Sequence, residues 1–258
     1  QPIEITMDLQ VIDSHCHLDF PKFNKDRDAT IQRALDAGVV QMINSGVDPK
    51  TNISTLELAQ KYDHIHATLG FSPHLSPEAT DEQVKSMLSF IEDHVTDIVG
   101  IGEAGLDHHY FTSSAERNRQ IEVFKQVIEL ADRYNKPRLI HGREAEDIAL
   151  GLSGHLNKVV FHCYGGSLKT MRNIVDAGHF ISVPTLACFS EHHQEIAKEV
   201  PLEHMLLETD SPYLSPRKGR NEPAFVLDSI PWISKLKGIE EKDIADITRK
   251  NTIRVFGL

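Results

Sequence analysis

The sequence alternates short, strongly apolar segments with longer amphipathic ones, and it does so eight times. Short runs rich in Val, Ile and Leu between helical patterns are typical of parallel strands that helices cover on both faces. The predicted strands are Leu9 to Asp13, Val39 to Asn44, His66 to Leu69, Ile98 to Gly102, Arg138 to His141, Val159 to His162, Phe180 to Val183 and Met205 to Glu208. Eight units favour a closed barrel over an open doubly wound sheet, which more often has about five or six strands and a glycine-rich first turn.

The predicted fold class is therefore α/β, a (β/α)8 TIM-type barrel with one extra C-terminal helix. Helical patterns cover Asp26 to Ala37, Asn52 to Lys61, Asp81 to His94, Ala115 to Tyr134, Ser167 to Ala177, Ser190 to Val200 and Ala224 to Lys237, with Lys242 to Phe256 as the extra helix. The pattern is weakest between His141 and Val159, where Gly151 and Gly154 interrupt it. Because no linker rich in Gly, Ser or Pro divides the chain, we expect a single domain over residues 1–258.

Composition narrows the classes of function. A formal charge of -11 argues against a broad basic face for duplex nucleic acid, although bound divalent cations can make a local cleft positive. The cysteines Cys16, Cys163 and Cys188 lack the spacing of a disulfide framework or zinc ribbon, which indicates a reducing compartment. The chain has no long apolar run and its start lacks the layout of a signal peptide, so we expect a cytoplasmic protein without membrane association.

Polar side chains that can bind metals follow the predicted strands. In this fold the carboxyl ends of the strands form the active site. These ends carry His15 and His17 (strand one), His74 (strand three), Glu103 (strand four), His141 (strand five), His162 (strand six), and Glu208 with Asp210 (strand eight). His15 and His17 are two residues apart on extended chain, so both rings face one side and can reach one ion, while Cys16 faces away.

Four imidazoles and two carboxylates gathered without a cation would leave buried acceptors and charges unsatisfied. A single catalytic zinc typically takes three protein ligands, whereas six donors suit two ions that share a bridging carboxylate and water. The set predicted to bind two divalent ions is His15, His17, Glu103, His141, His162 and Asp210. Mixed nitrogen and oxygen ligands favour Zn, Mn, Fe or Co, and Mg stays open.

Six segments at strand ends form a family pattern: Ile12 to Leu18, Gly100 to Asp107, Ile140 to Arg143, Phe161 to Ser167, Leu207 to Tyr213 and Arg220 to Pro223. On these segments the chain resembles the TatD family of metal-dependent deoxyribonucleases, within the wider group of amidohydrolase-like metal barrels. The resemblance implies that His15, His17 and Asp210 bind one ion. It also implies that His141 and His162 bind the other and that Glu103 bridges the two.

Two segments depart from the family pattern. Ser72 stands where the family commonly has the first histidine of Gly-x-His-Pro-His, although His74 remains. His108 and His109 stand where aromatic residues are usual. Both changes lie where a substrate would sit, so they bear on specificity more than on metal binding.

The expected chemistry is attack by a metal-activated water, since coordination can lower the pKa of water from 15.7 to about 7. Asp210 is the predicted base, and Glu103 belongs to the catalytic group as the bridge. For Glu208 three roles stay open: binding a further ion, orienting the water, or a structural role inside the barrel.

Cations near the site would contact a phosphodiester substrate. Arg143 lies two residues past His141 on the same face, and its guanidinium suits a phosphate. Arg217, Lys218 and Arg220 form a basic cluster after strand eight that either binds substrate or is a solvated loop. Asn221 is expected to cap the next helix, and the predicted substrate contacts are His74, His108, Arg143 and Arg220.

We therefore predict a metal-dependent deoxyribonuclease that acts on single-stranded DNA or free ends, since no long basic groove is evident. The alternative is a small-molecule amide, ester or lactone hydrolase with the same dinuclear centre. A third hypothesis, a metal-bound scaffold without turnover, is disfavoured by the intact ligand set.

Overall fold

The computed structural model describes residues 9–258, and there eight parallel strands form one sheet in sequence order. They are β1 (Val11–Cys16), β2 (Val39–Ser45), β3 (Ile65–Phe71), β4 (Gly100–Asp107), β5 (Arg138–Arg143), β6 (Val159–His162), β7 (Phe180–Pro184) and β8 (Met205–Glu208). The segment after β8 returns to β1, where the Asp210 amide donates to the His15 carbonyl at 2.9 Å and the His17 amide donates to the Ser211 carbonyl at 2.8 Å. These two bonds close the sheet into a barrel.

Within the described residues, one α-helix follows each strand and a ninth lies beyond the last unit. They are α1 (Arg27–Ala37), α2 (Pro49–Lys61), α3 (Asp81–Asp93), α4 (Ser114–Arg133), α5 (Glu146–Ser153), α6 (Leu168–Asp176), α7 (Glu191–Glu199), α8 (Ser229–Lys237) and α9 (Glu241–Phe256). The (β/α)8 barrel with one extra C-terminal helix is thus confirmed. None of the helices in this part of the chain has both the length and the apolar character of a membrane span.

Three helices begin with a capping box, in which two side chains satisfy backbone N–H groups that no helical carbonyl can reach. The pairs are Asp48 with Thr51 at α2, Thr80 with Gln83 at α3 and Ser113 with Glu116 at α4. These caps fix the ends of the strand-to-helix loops that surround the mouth of the barrel.

An apolar layer lies inside the barrel below its mouth. Buried apolar residues of four strands each stand two residues before a polar one: Ile43 before Ser45, Leu139 before His141, Val160 before His162 and Leu206 before Glu208. Since side chains alternate across a strand, each polar residue faces the same side as the apolar residue below it. Val255 and Phe256 of α9 belong to the same apolar cluster, and Phe256 lies beside Gly100 at the start of β4. The extra helix therefore covers the amino-terminal end of the barrel.

Six strands extend further than their apolar patterns indicate, and the extensions of β4 and β1 bear most on the site. β4 was predicted to end at Gly102, but its pairing with β5 continues to Asp107 opposite Arg143. β1 likewise continues to Cys16. Polar residues at these strand ends face the cleft and keep the extended backbone, so Glu103 and His15 lie within strands and not after them.

Candidate metal centre and substrate cleft

A cleft of about 1350 Å³ opens at the carboxyl ends of the strands. Five of the six predicted metal ligands line it: His17, Glu103, His141, His162 and Asp210. His15 is fully buried beside them. The structure therefore brings together all six side chains that the sequence analysis selected.

Glu103 stands between two pairs of histidines. Its Oε2 lies 3.2 Å from His15 Nε2 and 3.7 Å from His17 Nε2. Its Oε1 lies 3.0 Å from His141 Nδ1 and 3.4 Å from His162 Nε2. One carboxylate thus presents a separate oxygen to each pair, as a ligand that bridges two ions would.

Asp210 adds a second carboxylate to the pair on β1. Its Oδ1 lies 3.4 Å from His15 Nε2 and 3.3 Å from His17 Nε2, while the two Nε2 atoms are 3.1 Å apart. These nitrogen and oxygen atoms surround a common point, which is the donor arrangement that a divalent cation such as Zn²⁺ requires.

The whole donor set fits divalent cations by chemistry and by spacing. Among these six residues, three overlapping groups have donor atoms within 4.8 Å of one another: His15, His17 and Glu103; Glu103, His141 and His162; and His15, His162 and Asp210. A fourth such group, His74, Asp107 and His141, adjoins them. Imidazole nitrogens mixed with carboxylate oxygens suit Zn and the neighbouring transition metals.

The electrostatics of the cluster favour added positive charge. Burial opposes ionisation of Glu103, yet the charge and hydrogen bonds of the surrounding histidines hold its pKa well below the usual value. Burial likewise opposes protonation of His17, yet its hydrogen bond to Asp210 and the charge of Asp210 raise its pKa to about 9. A bound cation would supply the same positive charge while the imidazoles stay neutral ligands.

Each of the four imidazoles turns one nitrogen to the centre and the other to a group on another strand, and three of these outer contacts are hydrogen bonds. The outer contacts are His15 Nδ1 to Ser45 Oγ (3.2 Å), His17 Nδ1 to the Ser45 carbonyl (2.9 Å), His141 Nε2 to Asp107 Oδ2 (3.0 Å) and His162 Nδ1 to Glu208 Oε1 (3.5 Å). Such outer partners fix the tautomer and orientation of a ligand ring. Neutral groups of Ser45 hold the rings on β1, whereas carboxylates lie behind His141 and His162.

Two glycines of β4 allow Glu103 to approach the histidines on β5 and β6. Gly102 and Gly105 have φ of +138° and +154°. A Cβ on Gly105 would collide with the carbonyl of His141, and one on Gly102 with the carbonyl of Leu139. Glycine therefore permits the close contact between β4 and β5 that places Glu103 beside His141.

A brace from β1 positions the loop that carries Asp210. The Asp13 carboxylate accepts hydrogen bonds from the Thr209 amide at 2.9 Å and the Thr209 hydroxyl at 2.5 Å. Asp210 itself adopts φ of +54°, a left-handed conformation that aspartate tolerates. The chain therefore turns sharply after β8 and directs the Asp210 carboxylate into the cleft.

Comparison with known proteins identifies the family of this chain. The profile of the family described as TatD related DNase matches residues 12–257. The chain belongs to the TatD family. The resemblance drawn from its six sequence segments is thus confirmed.

Relatives of this TatD chain match it over nearly its whole length. An uncharacterized metal-dependent hydrolase of Methanocaldococcus jannaschii is 37% identical, over 96% of this chain and 98% of its own. Human deoxyribonuclease TATDN3 is 30% identical, over 95% of this chain and 94% of its own. The TatD homolog YJJV of Escherichia coli K12 has a crystal structure with a TM-score of 0.89 at 28% identity, covering 98% of this chain and 100% of that one. The protein is accordingly a metal-dependent hydrolase of the TatD family, and its histidine and carboxylate groups can bind metal.

Two of the predicted substrate contacts line the TatD cleft. His74 is half-exposed, and its Nε2 lies 2.9 Å from Asp107 Oδ2, the oxygen that also contacts His141. Arg143 is exposed at the rim, where its guanidinium carbon lies 5.0 Å from the centre of the Tyr110 ring. Both side chains are placed to meet a molecule that enters the cleft.

His108 and Glu208 do not line the cleft. His108 is buried, and burial together with the charge of Arg117 lowers its pKa. Glu208 is fully buried on the inner face of β8, and its carboxylate lies behind His162 without a well-aligned hydrogen bond. The structure thus places both side chains outside the lining of the cleft, and the substrate contact of His108 and the catalytic role of Glu208 stay predictions.

The basic loop after β8 is a structural element in this TatD chain and does not line the cleft. Arg220 pairs with Asp26, with Nη1–Oδ1 at 2.7 Å and Nη2–Oδ2 at 2.8 Å, and its guanidinium lies over the Phe23 ring. Arg217 pairs with Asp228 at 2.7 Å. Arg220 thus ties this loop to the start of α1, and its substrate contact stays a prediction.

Asn221 braces the same loop and does not cap a helix. Its amide donates to the carbonyls of Thr209 and Tyr213 at 3.0 and 2.6 Å. The next residue, Glu222, instead forms an ion pair with Arg33 at 2.8 Å. Asn221 therefore does not form the expected helix cap, and its hydrogen bonds instead stabilise the turn of the loop after β8.

We expect Arg220→Met to lower the free energy of unfolding at pH 7 by about 1 kcal/mol, because the partly exposed pair with Asp26 is lost. Hydrogen bonds from Arg220 hold the pKa of the Asp26 carboxyl below its usual value. A carboxyl with a depressed folded-state pKa stabilises the protein above the unfolded pKa of about 3.9 and loses that contribution as the pH falls below it. Urea unfolding at pH 7 and pH 3 should therefore show the difference from wild type shrinking at the lower pH. A large loss of substrate binding at unchanged stability would instead show that Arg220 contacts the substrate.

Sequence reasoning missed Asp107 and Ser45 as parts of the site. Asp107 is fully buried and contacts both His74 and His141, although the motif that contains it was recognised. The signal was available, since Asp107 lies four residues after Glu103 and alternation places both on one face of β4. Ser45 gave no comparable signal, because a single serine after an apolar strand is common.

Proposed function

We propose that the protein is a deoxyribonuclease that hydrolyses phosphodiester bonds at a centre of two divalent ions. The observation that carries the proposal is the Glu103 carboxylate, whose two oxygens are divided between two histidine pairs. The name of the human relative, a deoxyribonuclease 30% identical to this chain, supports DNA as the substrate.

In this proposal the six donors are divided between the two ions. His15, His17 and Asp210 would hold one ion, His141 and His162 would hold the other, and Glu103 would be shared by both. Bound divalent ions would acidify a water molecule and neutralise the phosphate oxygens. The donor set suits Zn²⁺ or Mn²⁺, and Mg²⁺ is the third ion to test.

Asp210 is proposed to accept the proton of the attacking water. Burial opposes ionisation of Asp210, yet its hydrogen bonds with His15 and His17 hold its pKa below the usual value, so the carboxylate is charged at neutral pH. Because Oδ1 faces the two histidines, Oδ2 is the oxygen that takes the proton. Arg143 at the rim is proposed to bind a phosphate next to the cleaved one.

A second candidate is a small-molecule hydrolase that cuts an amide, ester or lactone at the same centre. The observation that favours it is the pairing of Arg217 and Arg220 with aspartates, which removes most of the basic loop from the substrate side. A small neutral substrate would need little positive charge beyond the ions.

The test is incubation of the purified protein with Mg²⁺, Mn²⁺ or Zn²⁺ and end-labelled single-stranded DNA. We expect metal-dependent cleavage by wild type and by Asp36→Asn, an exposed carboxylate variant on α1, and none by Asp210→Asn. Equal product from wild type and Asp210→Asn would reject the deoxyribonuclease. A parallel panel of esters, amides and lactones decides the second candidate.

A further inference from the structure

We propose that the cleft binds a single-stranded nucleic acid across its full width, with one base stacked on Tyr110 and another on Tyr213, on opposite sides of the cleaved bond. The inference rests on the proposed deoxyribonuclease function and narrows its substrate class. The substrate is a strand with at least one nucleotide on each side of the reacting phosphate.

The first stacking position lies in the loop after β4. Tyr110 is 62% exposed and lines the cleft. The guanidinium of Arg143 lies 5.0 Å from its ring centre, and the His74 ring meets it edge-on at 5.4 Å. The exposed ring can stack on a base while Arg143 reaches an adjoining phosphate.

The second stacking position lies in the loop after β8 and again combines an exposed aromatic ring with a nearby cation. Tyr213 is 47% exposed, and the Lys22 ammonium lies 5.0 Å from its ring centre. Phe20 lies 6.3 Å from Tyr213 and stacks on His17 at 4.6 Å. This aromatic and cationic pair therefore adjoins a ligand of the proposed metal centre.

The topology places the two positions on opposite sides of the centre. β4 and β8 are four strands apart in a closed ring of eight, so the loops that follow them face each other across the mouth. Glu103, His17, His141 and His162 line the same cleft as the two tyrosines, and His15 is buried beside them. A strand held by both tyrosines must pass over the ions, which puts a phosphate between the two stacked bases at the reacting position.

The charges indicate a nucleic acid and the exposed rings indicate a single strand. Arg217 and Arg220 are paired with aspartates, whereas Arg143 and Lys22 form no ion pair with any residue of 9–258. Exposed aromatic rings beside free cations are the means by which proteins hold single strands without reading their sequence. The bases of a duplex stack on each other, so they cannot stack on both tyrosines.

The experiment measures kcat and KM for cleavage of fluorescein-labelled decathymidylate by wild type, Tyr110→Leu and Tyr213→Leu. Stacking on an aromatic side chain contributes enough per base that we expect KM to rise about fivefold or more in each variant, with a smaller change in kcat. Tyr110→Phe and Tyr213→Phe, which keep the ring, should restore the wild-type KM. Tyr134→Leu is the matched control, because Tyr134 is exposed at the end of α4 and contacts Glu92 outside the cleft.

The outcomes separate this inference from the function on which it rests. Failure of wild type to cleave decathymidylate with any of the three metals rejects the proposed function itself. Cleavage by wild type with unchanged KM in both leucine variants overturns the stacking positions. A rise of KM in only one variant overturns the two-sided substrate, and equal cleavage of a decathymidylate–decaadenylate duplex overturns the single-strand preference. Elemental analysis of the leucine variants checks that they keep the ions of wild type.

Discussion

Glu103→Ala is expected to leave the purified protein with fewer than two bound ions and to lower DNA cleavage by more than about a hundredfold. Glu103 is proposed to touch both ions, since its two oxygens face different histidine pairs. Loss of a group that merely supports a metal ligand typically costs about 10- to 100-fold in affinity or activity, so loss of a shared ligand should cost more. Elemental analysis gives the ion count, and end-labelled DNA gives the rate.

The matched control for this substitution is Glu129→Ala on the exposed face of α4, which removes an equal charge far from the cleft. It should keep the wild-type ion count and rate. Full retention of two ions by Glu103→Ala would contradict the bridging role, whatever happens to the rate.

Asp107→Asn is expected to weaken binding of the ion held by His141 and His162 by about 10- to 100-fold. In wild type the Asp107 carboxylate can only accept from His141 Nε2, which puts the proton on Nε2 and leaves the Nδ1 lone pair facing Glu103. An asparagine amide can donate to Nε2 instead. That contact favours the opposite tautomer, with a proton on Nδ1 where the ion must bind.

Competition with a chelator measures this effect as a separate dissociation constant for each ion. The ion at His15, His17 and Asp210 should keep its affinity, because Ser45 and not Asp107 holds those rings. Asp36→Asn serves as the control for a surface amide substitution. Two ions bound with wild-type affinity in Asp107→Asn would show that the carboxylate does not set the tautomer of His141.

The alternation of strands and helices predicts both the barrel and the cluster of metal-binding side chains at its mouth. Parallel strands bring their carboxyl ends to one rim, so metal-binding side chains that follow separate strands must converge there. That rule selected His15, His17, Glu103, His141, His162 and Asp210 without knowledge of any distance, and the structure brings all six together.

Residues in loops, or at the point where a strand ends, could not be placed in the same way. Arg220 pairs with Asp26, far away in sequence, and no periodicity determines which way a loop side chain turns. Glu208 and Asp210 are two residues apart, so alternation along a strand predicts that they face the same side. The left-handed backbone at Asp210 breaks this alternation, and Glu208 lies inside the barrel while Asp210 lies in the cleft. Asp107 was assigned no role, although alternation along β4 places it on the face that carries Glu103.

The hydrogen bonds between β1 and the segment after β8 have a consequence for how the protein matures. His15 lies on β1, His17 directly after it, and Asp210 after β8, so a cation held by all three, as proposed, would join the two ends of the ring. Binding of that cation would stabilise the junction between β1 and the segment after β8, because the unfolded chain, whose ends lie apart, offers no equivalent site. Metal binding and closure of the barrel would then be coupled during folding.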